Sequence, residues 1–404
     1  VILLSGQVLG EVLLSEGDTV DEAKYLASKL HHNSGLVIPT LRLVFEGREL
    51  LGDEEVSTLG LLEPNVRLTA LLSAPQKVIT TSADGTAKVF DLESGDCEET
   101  FVGDVFGQGT EKASIHSVSV SEDGHIFLLA TEGWVCLLST TTGRCFQRIE
   151  PPEIGKAVQH AALSHDAKLI LIVCSGAVYV AGDGCGSPRS LNGPNLGGAL
   201  FAAFSPDARK IVVASKDCTA QVYDVASGRC EQIYEGHFGW VLTARFCPKG
   251  LHVLTACADG VTRLFDAESG ECQGDFRRHG GSVRSSCFSP DGEKILAAVN
   301  DCTAKLFNLN TRRCERTFAG HTGILWSALF SPDGVHVVTA SADGTARIFQ
   351  TDTGECLRVF SGHEDMVLSV AFLTVSSFNL APTSTKDVDG RSQAQIWPIE
   401  VPNP

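Results

Sequence analysis

Four histidines, His237, His279, His321 and His363, recur every 42 residues, and the first three stand 22 residues ahead of Asp259, Asp301 and Asp343. Ser341 lies two residues before Asp343, so serine, histidine and aspartate occur together in one unit. That combination is the chemistry of acyl transfer, in which the imidazole takes a proton from the hydroxyl and the carboxylate orients the ring. An active site occurs once in a chain, whereas this set returns unit after unit. The repetition marks it as architecture, and no catalytic residue is expected. Gly182-Asp183-Gly184-Cys185-Gly186 offers a glycine-rich run, but no helix pattern and no Lys-Ser/Thr follow it, so a phosphate loop is not expected. Of fourteen cysteines, Cys97, Cys145, Cys230, Cys272, Cys314 and Cys356 hold one repeat position, where they read as small buried hydrophobes. With no Cys-x-x-Cys pair, neither a metal site nor structural disulfides are expected. Many unpaired thiols favour a reducing compartment, so a cytoplasmic location is expected, a nuclear one being the alternative.

The elements that carry these residues repeat with the same period. Asp217-Cys218-Thr219-Ala220, Asp259-Gly260-Val261-Thr262, Asp301-Cys302-Thr303-Ala304 and Asp343-Gly344-Thr345-Ala346 are tight turns between short apolar runs. The unit over 320–360 predicts four strands. One ends at Ala328-Leu329-Phe330, one covers Val335 to Ser341, one Thr345 to Phe349 and one Glu355 to Phe360, with Ser331-Pro332-Asp333-Gly334 and Asp352-Thr353-Gly354 as turns. Asp84-Gly85-Thr86-Ala87 is a strong earlier copy. Glu132-Gly133 and Ser175-Gly176 are weaker ones, and Asp389-Gly390 before Ala394-Gln395-Ile396-Trp397 is a late one. Eight such hairpins result. A period of about 40–45 residues with four strands per unit predicts a mainly β chain whose small sheets are arranged radially.

The 404 residues are 43% hydrophobic and 20% charged, with a net charge of −17 and no basic run. Nucleic acid and anionic membrane surfaces are therefore not expected as partners. No apolar stretch approaches the ~20 residues that span a bilayer. The first residue is not Met and the only Met is Met366, which points to a clipped N-terminus.

Residues 76–404 resemble the WD40-repeat β-propeller family. The resemblance rests on Gly-His (236–237, 320–321, 362–363), Ser-Pro-Asp (205–207, 289–291, 331–333) and the aspartate turns. It implies that His237, His279, His321, His363, Asp259, Asp301, Asp343 and Ser341 form a buried structural relay tying each Gly-His loop to its turn. The family's Trp-Asp after the third strand is replaced by Phe90-Asp91, Tyr223-Asp224, Phe265-Asp266, Phe307-Asn308 and Phe349-Gln350. Phe fills the volume but lacks the indole donor. Eight blades are expected, with three-stranded blades at each end. The alternative is seven, in which Val367 to Phe372 completes the first.

Residues 1–73 lack the repeat. Val1 to Leu4, Glu11 to Leu14, a helix from Asp18 to about His31, Leu41–Phe45 and Val66 to Leu72 follow a ββαβ…β order. With Leu-Arg-Leu-Val-Phe-x-Gly-Arg, this resembles the ubiquitin-like fold with a shortened first strand. No terminal Arg-Gly-Gly is present, which leaves docking rather than conjugation. The resemblance maps a binding face to Leu4, Val44, Arg67 and Thr69. Val66–Gly85 also aligns without a gap to Val241–Gly260, which suggests that Val66 to Leu72 doubles as the inner strand of the first blade.

Binding positions show as variation at a constant place. The residue before each inner strand is Trp240, Ser282, Ile324 or Met366, and Phe238 and Trp326 lie beside them. In the resembling family this position faces the narrow top rim, where large apolar side chains suit an interface. Trp326 is expected in the core. The chain reads as a non-catalytic scaffold or adaptor with no cofactor and no small-molecule substrate. The propeller rim holds a protein client and the ubiquitin-like unit docks a second protein. The pairing of units is similar to Notchless-like proteins, which implies ribosome assembly as one alternative. A ciliary or dynein-assembly WD-repeat protein is another.

Overall fold

The computed structural model describes residues 77–373, apart from short stretches at 103–112, 122–123, 141, 152–156, 183–187, 192–197 and 278, and four strands that precede residue 77. Within 77–373 the chain forms seven four-stranded antiparallel sheets. In blade 7 the strands are Leu325–Phe330, His336–Ser341, Ala346–Gln350 and Cys356–Phe360, within a residue or two of the sequence expectation. Inner strands contact inner strands all the way round, from blade 1 through blade 7 and back, so the sheets close into a ring. This is a seven-bladed β-propeller.

Burial follows position in the blade. The second strands of blades 2 to 7 are buried at every residue after the first, as in His336–Ser341, because neighbouring sheets cover both faces. The outer strand Cys314–Phe318 is exposed except for its last residue, Phe318. That residue reaches the third strand of the next blade: Phe318 meets Phe349 at 5.4 Å, Phe276 meets Phe307 at 5.8 Å and Tyr234 meets Phe265 at 4.9 Å between ring centroids. Phe and Tyr in place of the family's Trp thus sit almost fully buried in the seams. Phe90, Phe265, Phe307 and Phe349 each pack on an aromatic ring of the preceding blade, which adds to their area burial.

Eight blades are not formed. The strand Val367–Leu373 pairs antiparallel with Lys77–Ser82, giving blade 1 its inner strand from the far end of the repeat array. Val78, Phe90, Val338, Ile348, Phe360, Val367, Val370 and Phe372 share one core cluster across the seam between blades 1 and 7. A ring leaves no open sheet edge between its first and last blades, whereas two three-stranded end blades would leave strand edges uncovered. Asp389–Trp397, expected as an eighth hairpin, lies outside the described residues.

Residues before 77 include a separate four-stranded sheet of Ile2–Leu3, Leu41–Phe45, Arg48–Glu49 and Thr69–Leu72. The first of these strands runs parallel to the last, which in turn pairs antiparallel with Leu41–Phe45. The last strand is therefore committed to this sheet. The suggestion that it doubles as the inner strand of blade 1 is overturned, since Val367–Leu373 fills that place. The expected helix after Asp18 lies outside the described residues.

Candidate functional site

The repeated histidines divide into three that form the relay and one that does not. His321 Nδ1 lies 2.8 Å from Asp343 Oδ2, and its Nε2 lies 2.8 Å from Thr339 Oγ1. Asp343 also accepts the backbone N–H of Thr322 at 3.0 Å and those of Thr345 (N–H at 3.0 Å, hydroxyl at 2.6 Å). Burial pushes the imidazole down from its ordinary pKa, against the opposing pull of Asp343. A neutral ring can donate from Nδ1 to the carboxylate and accept the Thr339 hydroxyl at Nε2. His237 repeats the pattern with Asp259 (3.2 Å) and Thr255 (2.7 Å). There the Arg263 guanidinium also bonds Asp259 at 2.9 Å and contacts His237.

The third relay closes the ring. His363, at the entry to the inner strand of blade 1, bonds Thr80 Oγ1 at 2.7 Å and Asp84 Oδ2 at 3.2 Å. Its aspartate comes not from 22 residues downstream but from the other end of the propeller. Ser82 donates to the Asp365 carbonyl at 3.3 Å across the same seam.

His279 departs from expectation. Its Nε2 donates to the Phe276 carbonyl at 3.0 Å, its Nδ1 is buried without a partner, and Asp301 is held by Lys305 (2.6 Å) and Thr303 instead. The cause is legible: the hydroxyl position of Thr255 and Thr339 is Ala297 in this blade. Without a hydroxyl to bond Nε2, the ring turns that nitrogen to the Phe276 carbonyl and donates to it.

The structure gives Ser341 no role as a nucleophile. Its hydroxyl donates to the Gly323 carbonyl at 3.0 Å and accepts the Asp343 N–H at 3.1 Å, while His321 faces Thr339. Cys257 takes the same place in blade 5, donating to the Gly239 carbonyl at 3.2 Å. His237, Cys257 and Asp259 thereby bring ligand-type atoms within 4.8 Å of one another. They do not fit a metal. Burial pushes the Cys257 thiol up to about 12, away from the thiolate a soft cation needs. The Arg263 guanidinium already occupies the carboxylate.

The relay's effect is to hold the loop that leads to the rim. In blade 7, a Cβ on Gly323 would come within 2.6 Å of the Asp343 backbone nitrogen, so only glycine allows this approach. The residue that follows is the rim position. In blade 5 this rigid loop presents Phe238, 90% exposed, and Trp240, 53% exposed. Asp259 accepts the Phe238 N–H at 3.2 Å, and Trp240 O accepts the Ala258 N–H at 2.9 Å, so the backbone between the two aromatics is fixed. Ser282, Ile324 and Met366 hold the same place in blades 6, 7 and 1, and are half-buried. Trp326, expected in the core, is instead partly exposed under the Arg284 guanidinium, 4.6 Å from its ring centroid. It occupies the β-bulge that interrupts the register between Leu325 and Ser327, and a bulge re-aims a side chain out of the sheet.

The six periodic cysteines are not buried hydrophobes. Cys97, Cys272, Cys314 and Cys356 are exposed and Cys145 and Cys230 partly so, because outer strands form the circumference. Each thiol spans a bulge to the carbonyl two residues on, as from Cys314 to Arg316 at 3.3 Å. Of the residues assigned to the N-terminal face, Val44 and Thr69 are direct partners in the strand register. Leu4 and Arg67 lie outside the described residues.

Relay, ring and presented loops together define a repeat propeller. Four segments, 189–224, 228–266, 270–308 and 312–350, match the family described as WD domain, G-beta repeat. Each begins at an outer strand and runs through the first three strands of the next blade, so every sequence repeat straddles two blades. The chain thus carries WD40 repeats. No curated protein shows a significant match to it.

Proposed function

We propose that this protein is a non-catalytic scaffold that joins two protein partners. The propeller rim takes a client on Phe238 and Trp240, with Ser282, Ile324 and Met366 continuing the surface. A ubiquitin-like unit in residues 1–73 docks a second partner through the face of Leu4, Val44, Arg67 and Thr69. One observation carries the rim reading: two large aromatics stand in solvent on a backbone that hydrogen bonds immobilise. Exposed aromatics lose little conformational entropy on binding when their loop is already ordered. The ubiquitin-like reading is supported by the strand order, first beside last in parallel and last beside Leu41–Phe45.

The test is quantitative affinity purification of three baits: the full chain, the full chain with Phe238→Ala and Trp240→Ala, and the chain without residues 1–73. Separate sets of partners lost from the second and third baits support bridging. A pre-ribosomal set lost with residues 1–73 points to ribosome assembly as the pathway. Identical partners from all three baits sink the proposal.

A further inference from the structure

The top rim carries two cations whose partners are aromatic rings. Lys216 Nζ lies 5.3 Å from the Trp240 ring centroid, and the Arg284 guanidinium lies 4.6 Å from that of Trp326. Among the described residues, neither forms an ion pair with a carboxylate, whereas Lys77, Lys210, Arg277, Lys294 and Lys305 each do.

The two pairs are joined by a chain of contacts. Trp240 O accepts the Ala258 N–H at 2.9 Å, and the Ser282 hydroxyl donates to Ala258 O at 2.9 Å. Asn300 N–H donates to Ser282 O at 3.0 Å, and Arg284 Nε donates to Asn300 Oδ1 at 2.9 Å. Lys216, Phe238, Trp240, Arg284 and Trp326 therefore form one arc across blades 4 to 7. Trp326 Nε1 is buried without a partner. Deeper on the inner strand of blade 5, Arg245 repeats the theme, 4.8 Å from the Phe201 ring and with Nε unpartnered.

We propose that the rim's client is an acidic segment of a partner protein, its carboxylates meeting Lys216 and Arg284 and an apolar side chain between them covering Phe238 and Trp240. The proposal rests on the rim reading above and gives it a ligand class. An arginine already stacked on a ring keeps its outer N–H groups for a carboxylate in charge-assisted hydrogen bonds. Complementary charge at a rim speeds encounter and rejects partners of the wrong sign. The arc stops at blade 1, where Glu364 and Asp365 precede Met366 and repel an acidic segment that runs further.

The experiment pans a random dodecapeptide library on the full chain, with counter-selection on the Trp240→Ala chain. Clones that need Trp240 are expected to be rich in Asp and Glu. A synthetic copy of the leading clone should bind about tenfold more weakly at 300 mM than at 50 mM salt, and to a similar degree when its acids become amides. A chain with Lys216→Glu and Arg284→Glu should lose that peptide and gain its lysine-substituted version, a swap that misfolding cannot mimic. Neutral or basic Trp240-dependent clones, or indifference to the charge reversal, overturn the acidic assignment while leaving the rim in place. If no clone depends on Trp240, the rim reading falls as well.

Discussion

Single residues explain where the repeat departs from its own pattern. The second residue of the aspartate turn has φ of +79° at Gly85, +77° at Gly260 and +79° at Gly344, but Cys218 and Cys302 adopt +71° and +67° in the same place. A left-handed conformation costs a side-chain-bearing residue about 1–2 kcal/mol. Cys302→Gly is therefore expected to stabilise the protein by about 1 kcal/mol, read as a shift in the urea midpoint, with Cys218→Gly acting alike. The relay histidines set a pH dependence. Burial pushes His237 down to about 4, with Arg263 assisting, and lowers His321 and His363 in the same direction. A histidine with a depressed folded pKa contributes stability that is complete above the unfolded value, near 6.5, and fades as pH falls toward the folded value. Burial alone would raise the Asp343 carboxyl, but hydrogen bonds from Thr345, His321 and the Thr322 N–H outweigh it and hold it at about 2. Its contribution is lost only below about pH 4. Thermal midpoints should thus begin to fall just below pH 6.5 and fall further below pH 4. A flat profile between 7 and 5 would contradict the relay. The relay pairs with a 22-residue spacing were legible in the sequence. The failure at His279 was legible too, in Ala297, but only once Thr255 and Thr339 were known to be its hydroxyl partners.

At the scale of the strand, the outer edge of each blade differed most from expectation. A cysteine recurring at one repeat position suggests a core site, yet the residue lies on the strand that faces solvent, where a bulge brings its thiol to a carbonyl. The signal lay in the neighbours: Cys314-Glu315-Arg316-Thr317-Phe318 is a charged fourth strand, whereas a second strand such as Lys294–Val299 is apolar after its first residue. A thiol reagent added to the native protein should modify Cys97, Cys272, Cys314 and Cys356 quickly. Cys136, Cys174, Cys247, Cys257 and Cys287, all buried, should react only after unfolding. The seams offer a second prediction. Phe318 and Phe360 are both 1% exposed and both cross to the next blade's third strand, one at an interior seam and one at the closure. Phe318→Ala and Phe360→Ala should each cost about 3–5 kcal/mol. If the closure seam were an ordinary blade boundary only in appearance, Phe360→Ala would be the milder change.

The whole molecule separates stability from recognition. Phe238 and Trp240 lie on the outside of a loop already held by Asp259 and Ala258, so replacing both by Ala should leave the unfolding free energy within about 0.5 kcal/mol. A large loss of stability would mean that they pack rather than present. By itself the sequence determined the unit: its turns, its four strands, the aromatic that fills each seam and the histidine that ties loop to turn. All of these depend on residues within one period of each other. The number of blades, the partner of His363 and the exposure of Trp240 were decided by tertiary structure. His363 meets Asp84 across 279 residues, and Val367 pairs with Ser82 across a comparable span. No local pattern encodes such a contact. It exists because seven sheets, each turned against the last by its own twist and packing, bring the two ends of the array edge to edge, where an unpaired strand finds its neighbour.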